Sequence, residues 1–594
     1  MSYAGPPLRW AALASLVGGS ALAAPAAAQI DPGCPTGRIV DVVIENNSVF
    51  EISEADGGGR FDWAYRLANR LHIQTDAEVV ERELLFEVGD CYDVELLRDS
   101  ERLLRAFDFL ANADVYGIRL PDGSVVVVVG TQDEWSTRIE PRIESEGSVG
   151  LRGLRIVEDN LLGTGRHIAL FYDRPDDEQI YGASYGTPQL LRTRWNMGLS
   201  FAKTDVGYSY REAVTHPFVG EVGRWAFRQA IDRSDRFFEV LMPLQDEDLA
   251  RIWVPVRRRQ FEVGGAYRRG TERYRHTLFG AVLAGESVTY PGPARFADPE
   301  SRPPLASGTL NTDWESISSV RVMLMTAQRN ISFRRGHALD TVNGTEDVQL
   351  GVEAEASIGP TLPTISEDRD IAVGLGLFAA SGIGRGSFAG GQFAFEAHRS
   401  YETLEGFAEW TDVFADFSLW AYLRRAPESR HTLVATVTGV GGWHSRAPFQ
   451  LTLGGDSGLR GYPRHVDPGG RRIVASFEHR AYVAGPFADL FDLGTVAFLD
   501  VGKIWSGHAA FGTESPIRGS VGLGLRIAFP PGSRQTFRVD VGFPADRGTG
   551  FGDLAVSIGV GQVIGRGGAR RDPQIARSSR YGVGTSDFIS APRP

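Results

Sequence analysis

Residues 517–529, Ile-Arg-Gly-Ser-Val-Gly-Leu-Gly-Leu-Arg-Ile-Ala-Phe, alternate apolar side chains with polar or small ones. Side chains of a β-strand point alternately to two faces, so this segment predicts a strand with one apolar face. Arg518 and Arg526 lie on the opposite face, which indicates that this face meets water. The same period-two pattern recurs at 537–543, 554–561 and 348–355, and it predicts a mainly β chain after residue 147 or so.

Alternation also occurs in soluble β-sandwiches, so other features must separate the two architectures. The predicted strands run to about ten residues, the length that a tilted strand needs to cross a bilayer. Trp420, Trp443 and Trp505 lie near strand ends, where an interfacial aromatic belt would place them. No later run of about 18 apolar residues could form a spanning helix. The sequence therefore predicts a transmembrane antiparallel β-barrel over residues 140–565, with about sixteen strands.

The N-terminus has the features of a secretory signal peptide. Arg9 precedes an Ala-rich apolar stretch, and Ala26 and Ala28 satisfy the small-residue rule for cleavage. The apolar stretch is too short to anchor the chain as a spanning helix. We therefore expect residues 1–28 to be removed after export.

Cys34 and Cys91 are the only cysteines in the chain. In an exported protein such a pair favours a disulfide, and closing a loop of this size would stabilise the fold by roughly 3–4 kcal/mol. A metal site or a nucleophile would need a nearby Cys/His cluster, which the sequence lacks. We therefore predict that the two cysteines are joined.

A small α+β domain is predicted over residues 34–133. Its expected order is one strand at 38–44, helices at 75–86 and 93–107, and two strands at 114–120 and 124–130. Thr75 and Glu78 have capping-box spacing, and Asp93 is expected to cap the second helix. Strand, helix, helix, strand, strand is compatible with many small domains, including a rigid plug or spacer.

Residues 83–110, Glu-Leu-Leu-Phe-Glu-Val-Gly-Asp-Cys-Tyr-Asp-Val-Glu-Leu-Leu-Arg-Asp-Ser-Glu-Arg-Leu-Leu-Arg-Ala-Phe-Asp-Phe-Leu, give this order a more specific interpretation. Together with that order they resemble a POTRA domain, the periplasmic module of outer-membrane assembly proteins. The resemblance implies a sheet edge on which client chains can pair by β-augmentation.

A Gly-rich loop after the strand at 430–443 reads Leu453-Gly-Gly-Asp-Ser-Gly-Leu-Arg-Gly-Tyr462. Its last four residues resemble the signature of the BamA/TamA superfamily of outer-membrane assembly proteins; these residues are Leu459, Arg460, Gly461 and Tyr462. Three supporting matches follow the order of that family: Asp159-Asn-Leu-Leu-Gly-Thr-Gly165 at the expected first barrel strand, Phe477-Glu478, and Phe498-Leu-Asp500-Val-Gly502. With the POTRA-like domain, the resemblance extends over nearly the whole mature chain.

Alternation alone places Glu478 on the polar face of its strand, with Ser476 and Arg480, whereas Ile473, Ala475 and Phe477 take the other face. Asp500 lies between Leu499 and Val501 and is expected to point inward on the neighbouring strand. The resemblance implies that the loop folds back into the barrel lumen, where Arg460 binds both carboxylates. Gly461 is expected to allow a sharp turn, and Tyr462 to pack against the lumen wall. Such a contact either stabilises the loop alone or takes part in transport.

Three functions fit these features. The first is a factor that assists insertion or translocation of proteins at the outer membrane, through a weak seam between the first and last strands. The second is a porin-like channel or a dedicated exporter of one partner, and the third is a structural surface-antigen barrel. The POTRA-like domain and the lumen loop favour the first function, because a simple pore needs neither.

The expected setting is the bacterial outer membrane, with the N-terminal domain in the periplasm. Expected partners are outer-membrane lipid, unfolded or secreted client proteins, and periplasmic or lipoprotein partners. A net charge of −12 argues against nucleic acid. The sequence has no H-E-x-x-H and no C-x-x-C spacing, and we expect no enzyme, cofactor or metal. Residues 566–594 are polar and rich in Gly and Arg, and are expected to be a tail rather than a closing strand.

Overall fold

The computed structural model describes residues 33–50, 62–145, 149–175, 178–244, 249–272, 274–297, 314–401, 410–455, 458–483, 490–545, 554–562, 571–580 and 584–589. The predicted signal peptide, residues 1–28, lies outside the described residues. The described chain builds a small N-terminal unit followed by a closed β-barrel. Among the described residues, no helix is long and apolar enough to cross a membrane.

The N-terminal unit is a three-stranded sheet covered by helices. Its elements are β1 Ile39–Asn47, α1 Asp62–Leu71, α2 Ala77–Glu81, α3 Val94–Arg105, β2 Leu110–Arg119 and β3 Val125–Asp133. The sheet order is β1-β3-β2, with β1 parallel and β2 antiparallel to the central β3. The apolar faces of the sheet, α2 and α3 form one buried core. Helix α1 was not predicted, because the sequence before residue 75 lacks a clear start signal.

Local capping explains the ends of these helices. Asp93 caps α3 as predicted, because its side chain accepts a hydrogen bond from the Glu95 amide. The N-cap of α2 is Asp76 and not Thr75. The Thr75 hydroxyl instead donates to the buried Asp133 carboxylate at 2.7 Å, so it is unavailable as a cap.

The predicted disulfide is present. Cys34 and Cys91 are bonded, with their Cα atoms 5.1 Å apart. The bond joins the chain before β1 to the turn before α3, where Arg38 also forms a β-bridge with Cys91. The start of the N-terminal unit is therefore fixed both covalently and by backbone pairing.

The barrel is antiparallel, and in the described part of the chain twenty strands form its wall. These are β4 Thr137–Ser145, β5 Val149–Leu161, β6 Arg166–Asp173, β7 Ile180–Thr187, β8 Asn196–Lys203, β9 Tyr208–His216, β10 Trp225–Pro243, β11 Leu249–Glu272, β12 Arg275–Thr289, β14 Ile317–His337, β15 Thr345–Pro360, β16 Asp370–Gly384, β17 Ser387–Ser400, β18 Trp410–Leu423, β19 His431–Trp443, β20 Arg471–Val483, β21 Asp492–Trp505, β22 Arg518–Ala528, β23 Phe537–Pro544 and β24 Ala555–Val560. A two-residue strand, β13 Arg295–Phe296, pairs beside β11.

The prediction of about sixteen strands is wrong. The five strands expected after residue 470 are present, so the additional strands lie earlier in the chain. Strands β6 to β9 have only eight or nine residues each, and such short strands contain too few alternations to be counted reliably from sequence.

The wall has its apolar side outward. On β22, Leu523 is 68% exposed on the outer face, whereas Arg526 is 2% exposed on the inner face. On β20, Phe477 is exposed and Glu478 is buried in the same way. A soluble protein would bury the apolar face, whereas a barrel in a membrane turns it toward lipid and keeps a polar interior. The polarity of the wall is therefore that of a membrane barrel.

Two details of the predicted faces need correction. Val348 and Leu350 point inward, whereas Val352 is exposed, because Gly351 has a φ of +119° and switches the alternation of β15. Trp420 is not in an outer aromatic belt: it is buried inside the barrel, in one apolar cluster with Leu350.

The N-terminal unit covers one end of the barrel, which we call the near end; the opposite end is the far end. Contacts with the unit come from the turns after β5, β7, β9 and β22 and from the start of β15. The described part of the expected tail, residues 571–580 and 584–589, contains no wall strand and lies inside the barrel. Its only α-helix is α4 Pro573–Ala576.

An outward-facing Leu offers a direct test of this polarity. Leu523→Arg should lower the free energy of unfolding in phospholipid vesicles by about 2–4 kcal/mol, because a lipid-facing Arg near the bilayer centre is costly. Leu191→Arg, at a position 87% exposed in a near-end loop, is the matched control and should change it by less than about 0.5 kcal/mol. Urea titration measures both, and equal effects would show that β22 does not face lipid.

Candidate functional site

The candidate site is the lumen loop, residues 444–470, which connects β19 to β20. The loop leaves the wall at the far end and folds back inside the barrel. Leu451, Leu453, Leu459 and Tyr462 are buried in one apolar cluster with the wall residues Val474 and Ile504. Backbone bridges from Leu451 to Gly469 and from Gly454 to Leu459 give the loop its own structure. Asp456 and Ser457 lie outside the described residues.

The Arg460 guanidinium joins the two predicted carboxylates. Its Nε and Nη2 atoms donate to the two oxygens of Asp500 at 2.9 and 2.7 Å, and its Nη1 atom donates to Glu478 at 2.5 Å. The guanidinium carbon also lies 3.8 Å from the ring centroid of Phe498. This geometry matches the planar fork of Arg, which binds one carboxylate through two nitrogens and stacks on an aromatic ring.

The contact continues beyond the loop toward the near end. The second oxygen of Glu478 accepts a hydrogen bond from Arg480 at 2.7 Å. Arg480 in turn donates to the Leu339 carbonyl at 2.6 Å and to Asp340 at 3.1 Å, both in the turn between β14 and β15. A line of alternating charges therefore links the lumen loop to a near-end turn across the lumen.

Gly461 serves a different purpose from the predicted one. Its φ does not lie in the left-handed region, so the turn itself does not require glycine. A Cβ atom at this position would lie 2.6 Å from the Ser520 side chain and 2.8 Å from the Phe543 backbone. Gly461 is therefore required by the close approach of the loop to β22 and β23.

Tyr462 packs against the wall, and its hydroxyl donates to the Gly519 carbonyl of β22 at 3.1 Å. The structure thus brings Leu459, Arg460, Gly461, Tyr462, Glu478 and Asp500 together inside the barrel. Within the described part of the chain, no group of three or more His, Cys, Asp or Glu side chains is arranged to hold a metal ion.

The seam between β24 and β4 is the shortest pairing between neighbouring wall strands. Within the described residues it has two residue pairs, Ser557 with Glu144 and Ile558 with Ile143, whereas β23 and β24 share six. A cavity of about 380 Å³ lies beside it, lined by charged side chains that include Arg142, Asp173 and Arg538. Few backbone hydrogen bonds therefore close the barrel at this position.

The Asp159–Gly165 motif attaches the N-terminal unit to the wall. It lies at the end of β5, the second wall strand and not the first. The Asn160 side chain donates to the Thr75 hydroxyl at 2.8 Å, and the Gly163 carbonyl accepts from the Asp76 amide at 2.8 Å. Gly163 has a φ of +73°, and a Cβ there would lie 2.4 Å from the Gln74 carbonyl oxygen. Sequence reasoning found this motif but could not show what it contacts.

A second contact between the unit and the barrel is ionic. Arg105 of α3 donates to both oxygens of Asp347 at 3.0 and 2.7 Å, and it also pairs with Glu101. Glu134, in the link between β3 and β4, accepts from the Arg534 amide at 3.1 Å. Burial raises the pKa of Glu134 to about 7, although contacts with Ser533 and Arg534 oppose the shift.

The chain is similar in structure to BamA and CdiB. BamA of Haemophilus ducreyi, in a form lacking POTRA domains 1–3, has 13% identity and a TM-score of 0.34, covering 89% of this chain and 85% of that chain. CdiB of Escherichia coli has 12% identity and a TM-score of 0.41, covering 89% and 76%. OpdQ of Pseudomonas aeruginosa has 8% identity and a TM-score of 0.30, covering 72% and 97%. No family model and no curated protein matches the chain by sequence. At these values the likeness concerns the barrel fold alone.

Arg460→Ala should lower the free energy of unfolding by about 3–5 kcal/mol, because it leaves two buried carboxylates without their shared cation. Arg425→Ala, in the exposed turn between β18 and β19, is the control and should be neutral. Heat-modifiability on a gel and urea titration report the effect. Unchanged stability of the Arg460 variant would mean that the loop is held without this contact.

The stability of the protein should depend on pH through Glu134, which lies in the link between the N-terminal unit and the barrel. Its folded pKa of about 7 exceeds the ordinary glutamate value of 4.5, so its contribution to stability is full below pH 4.5 and is lost as the pH rises through 7. Glu134→Gln should remove this dependence and stabilise the protein at pH 8 by at most about 3 kcal/mol. Unfolding midpoints at pH 5 and pH 8 measure it, and identical pH profiles for both proteins would exclude this role for Glu134.

Proposed function

We propose that the protein is an outer-membrane factor of the BamA/TamA type, which assists the insertion or translocation of other proteins. The observation that carries the proposal is the lumen loop, with Arg460 bound to both Asp500 and Glu478. The four-residue signature and its two partners were selected from sequence resemblance alone, and they lie in contact in the structure. The proposed activity needs no nucleotide, no metal and no catalytic group of an enzyme.

The short seam supports a mechanism of lateral opening. Within the described residues two residue pairs join β24 to β4, so separating these residues breaks few backbone hydrogen bonds. The exposed edges could then pair with a strand of a client protein, because an unpaired edge offers a row of donors and acceptors. The charged cavity beside the seam would let water reach these groups while they are unpaired.

The N-terminal unit supplies a place where client chains can dock. Strand β2 lies at one edge of its sheet, and within the described residues only β3 pairs with it. Tyr116 and Ile118 on this strand are exposed. We propose that β2 takes up extended segments of unfolded or secreted clients in the periplasm by β-augmentation, as a POTRA domain would. Periplasmic or lipoprotein partners could use the same unit.

The alternatives fit the molecule less well. An open porin-like channel would need a free lumen, whereas the lumen loop and residues 571–580 and 584–589 occupy it. A structural barrel would have no need for a two-pair seam. A dedicated exporter of one partner differs from the proposed function in its clients alone.

Depletion of the protein in its native cell tests the assembly role. We expect the abundance of other outer-membrane barrels to fall, because they would lose the factor that inserts them. Re-expression of the wild-type chain or of the Arg425→Ala control should restore them, whereas Arg460→Ala should not. Quantitative proteomics of the outer membrane measures the effect, and unchanged barrel levels after depletion would refute the assembly role.

A further inference from the structure

The described C-terminal residues, 571–580 and 584–589, lie inside the lumen. Asp572 and Gln574 accept hydrogen bonds from Arg472 of β20 at 2.6 and 2.8 Å, and Ile575 is buried in the apolar cluster of the lumen loop. Farther on, the Phe588 carbonyl accepts from the Phe218 amide at 3.0 Å in the near-end turn after β9. The segment therefore enters the barrel, reaches toward the far end and returns.

The Arg580 side chain of this segment has no solvent exposure. Its guanidinium donates to Glu286 and Asp370 at 2.7 Å each and to Asp412 at 3.2 Å. A weaker contact with the Ser319 hydroxyl measures 3.4 Å. The three carboxylates belong to β12, β16 and β18, so one arginine connects strands that are not neighbours in the wall.

The carboxylates keep their positions through wall and loop contacts of their own. Arg321 of β14 donates to Asp370 at 3.0 Å, and Arg446 of the lumen loop donates to Asp412 at 3.2 Å. The carboxylates of the cluster and its surroundings are Glu286, Glu315, Asp368, Asp370, Glu396 and Asp412. They face Arg321, Arg446, Arg258 and Arg571, with His398 beside Asp370. Without Arg580, these six carboxylates outnumber the four arginines. The cluster is therefore built to take one more guanidinium.

We propose that the cluster of Glu286, Asp370 and Asp412 is a binding site for an arginine side chain of an extended polypeptide, and that Arg580 fills it as an internal ligand. The ligand class follows from the ligand present: an arginine that, with Ser579 before it, lies outside any helix or strand, after the four-residue α4. Polar contacts hold much of the segment, including the bond from the Thr585 hydroxyl to Glu355 at 2.6 Å. Water can replace such contacts, so the segment can leave while the site stays in the wall. The proposal rests on the proposed function, because that function brings other polypeptides to the lumen.

Arg580→Ala in the full chain removes the internal ligand and tests whether Arg580 holds the C-terminal segment in the lumen. The population of barrels with the segment displaced should rise about a hundredfold, which corresponds to about 3 kcal/mol at about 1.4 kcal/mol per tenfold. Planar-bilayer recordings of the purified protein should show this as a larger conductance than the wild type. If the alanine variant fails the heat-modifiability test of folding, Arg580→Gln, which keeps one hydrogen-bond donor, takes its place in every measurement.

A peptide probe then tests the ligand class. The peptide Ser-Ser-Arg-Tyr-Gly, which copies residues 578–582, should block the current of the Arg580→Ala barrel. The same peptide with glutamine in place of arginine should not. A barrel with Asp370→Asn and Asp412→Asn should also conduct, but neither peptide should block it, because the site has lost its charge. Equal action of the two peptides on the Arg580→Ala barrel, or an unchanged conductance of that variant, would overturn the proposal.

This experiment separates the site from the proposed function. Selective block by the arginine peptide with unchanged barrel levels after depletion would keep the site and remove the assembly role. Loss of other barrels on depletion without selective block would keep the assembly role and remove the site.

Discussion

The bidentate contact between Arg460 and Asp500 is the constraint on which the organisation of the lumen depends. A barrel in a membrane presents its apolar side chains to lipid, so its interior must satisfy charges that a soluble protein would leave in water. Arg460 does this for two wall carboxylates at once, and its position requires the loop to reach β20 and β21. The backbone of Gly461 then fits against β22 and β23, where no side chain could.

The lumen loop and the C-terminal segment form one interior. Gln574 of the segment donates to the Thr452 hydroxyl of the loop at 2.7 Å, and Ile575 packs with Leu451 and Leu453. Arg460 and Arg580 make the same kind of contact at two places in the lumen, because each is a buried guanidinium held by carboxylates from different strands. Removing either partner of such a pair leaves an uncompensated buried charge. The two elements therefore support each other, and displacement of the segment would also weaken the loop.

Local rules predicted much of the fold and of the candidate site. Alternation identified the inward faces of Glu478 and Asp500, because a strand leaves only two choices for each side chain. The same rule failed at Val348, because a single left-handed residue, Gly351, reverses the two faces without changing composition. The place of Arg580 could not be predicted, since a Gly/Arg-rich segment looks the same in solvent as in a lumen. Its acidic partners on β12, β16 and β18 are distant in sequence and carry no shared pattern.

The placement of these contacts bears on how the barrel could open. The loop holds the wall from β20 to β23, through Glu478, Asp500 and the close approach at Gly461. The N-terminal unit holds the other side of the seam, because Asn160 at the end of β5 is bonded to Thr75. The unit also contacts the loop's side of the seam, because Arg534, in the turn between β22 and β23, donates to Glu134 and to the Arg105 carbonyl. Both sides of the seam are therefore anchored at the near end. Within the described residues the wall has its shortest pairing between β24 and β4, so opening there separates the fewest paired residues and leaves both anchors in place.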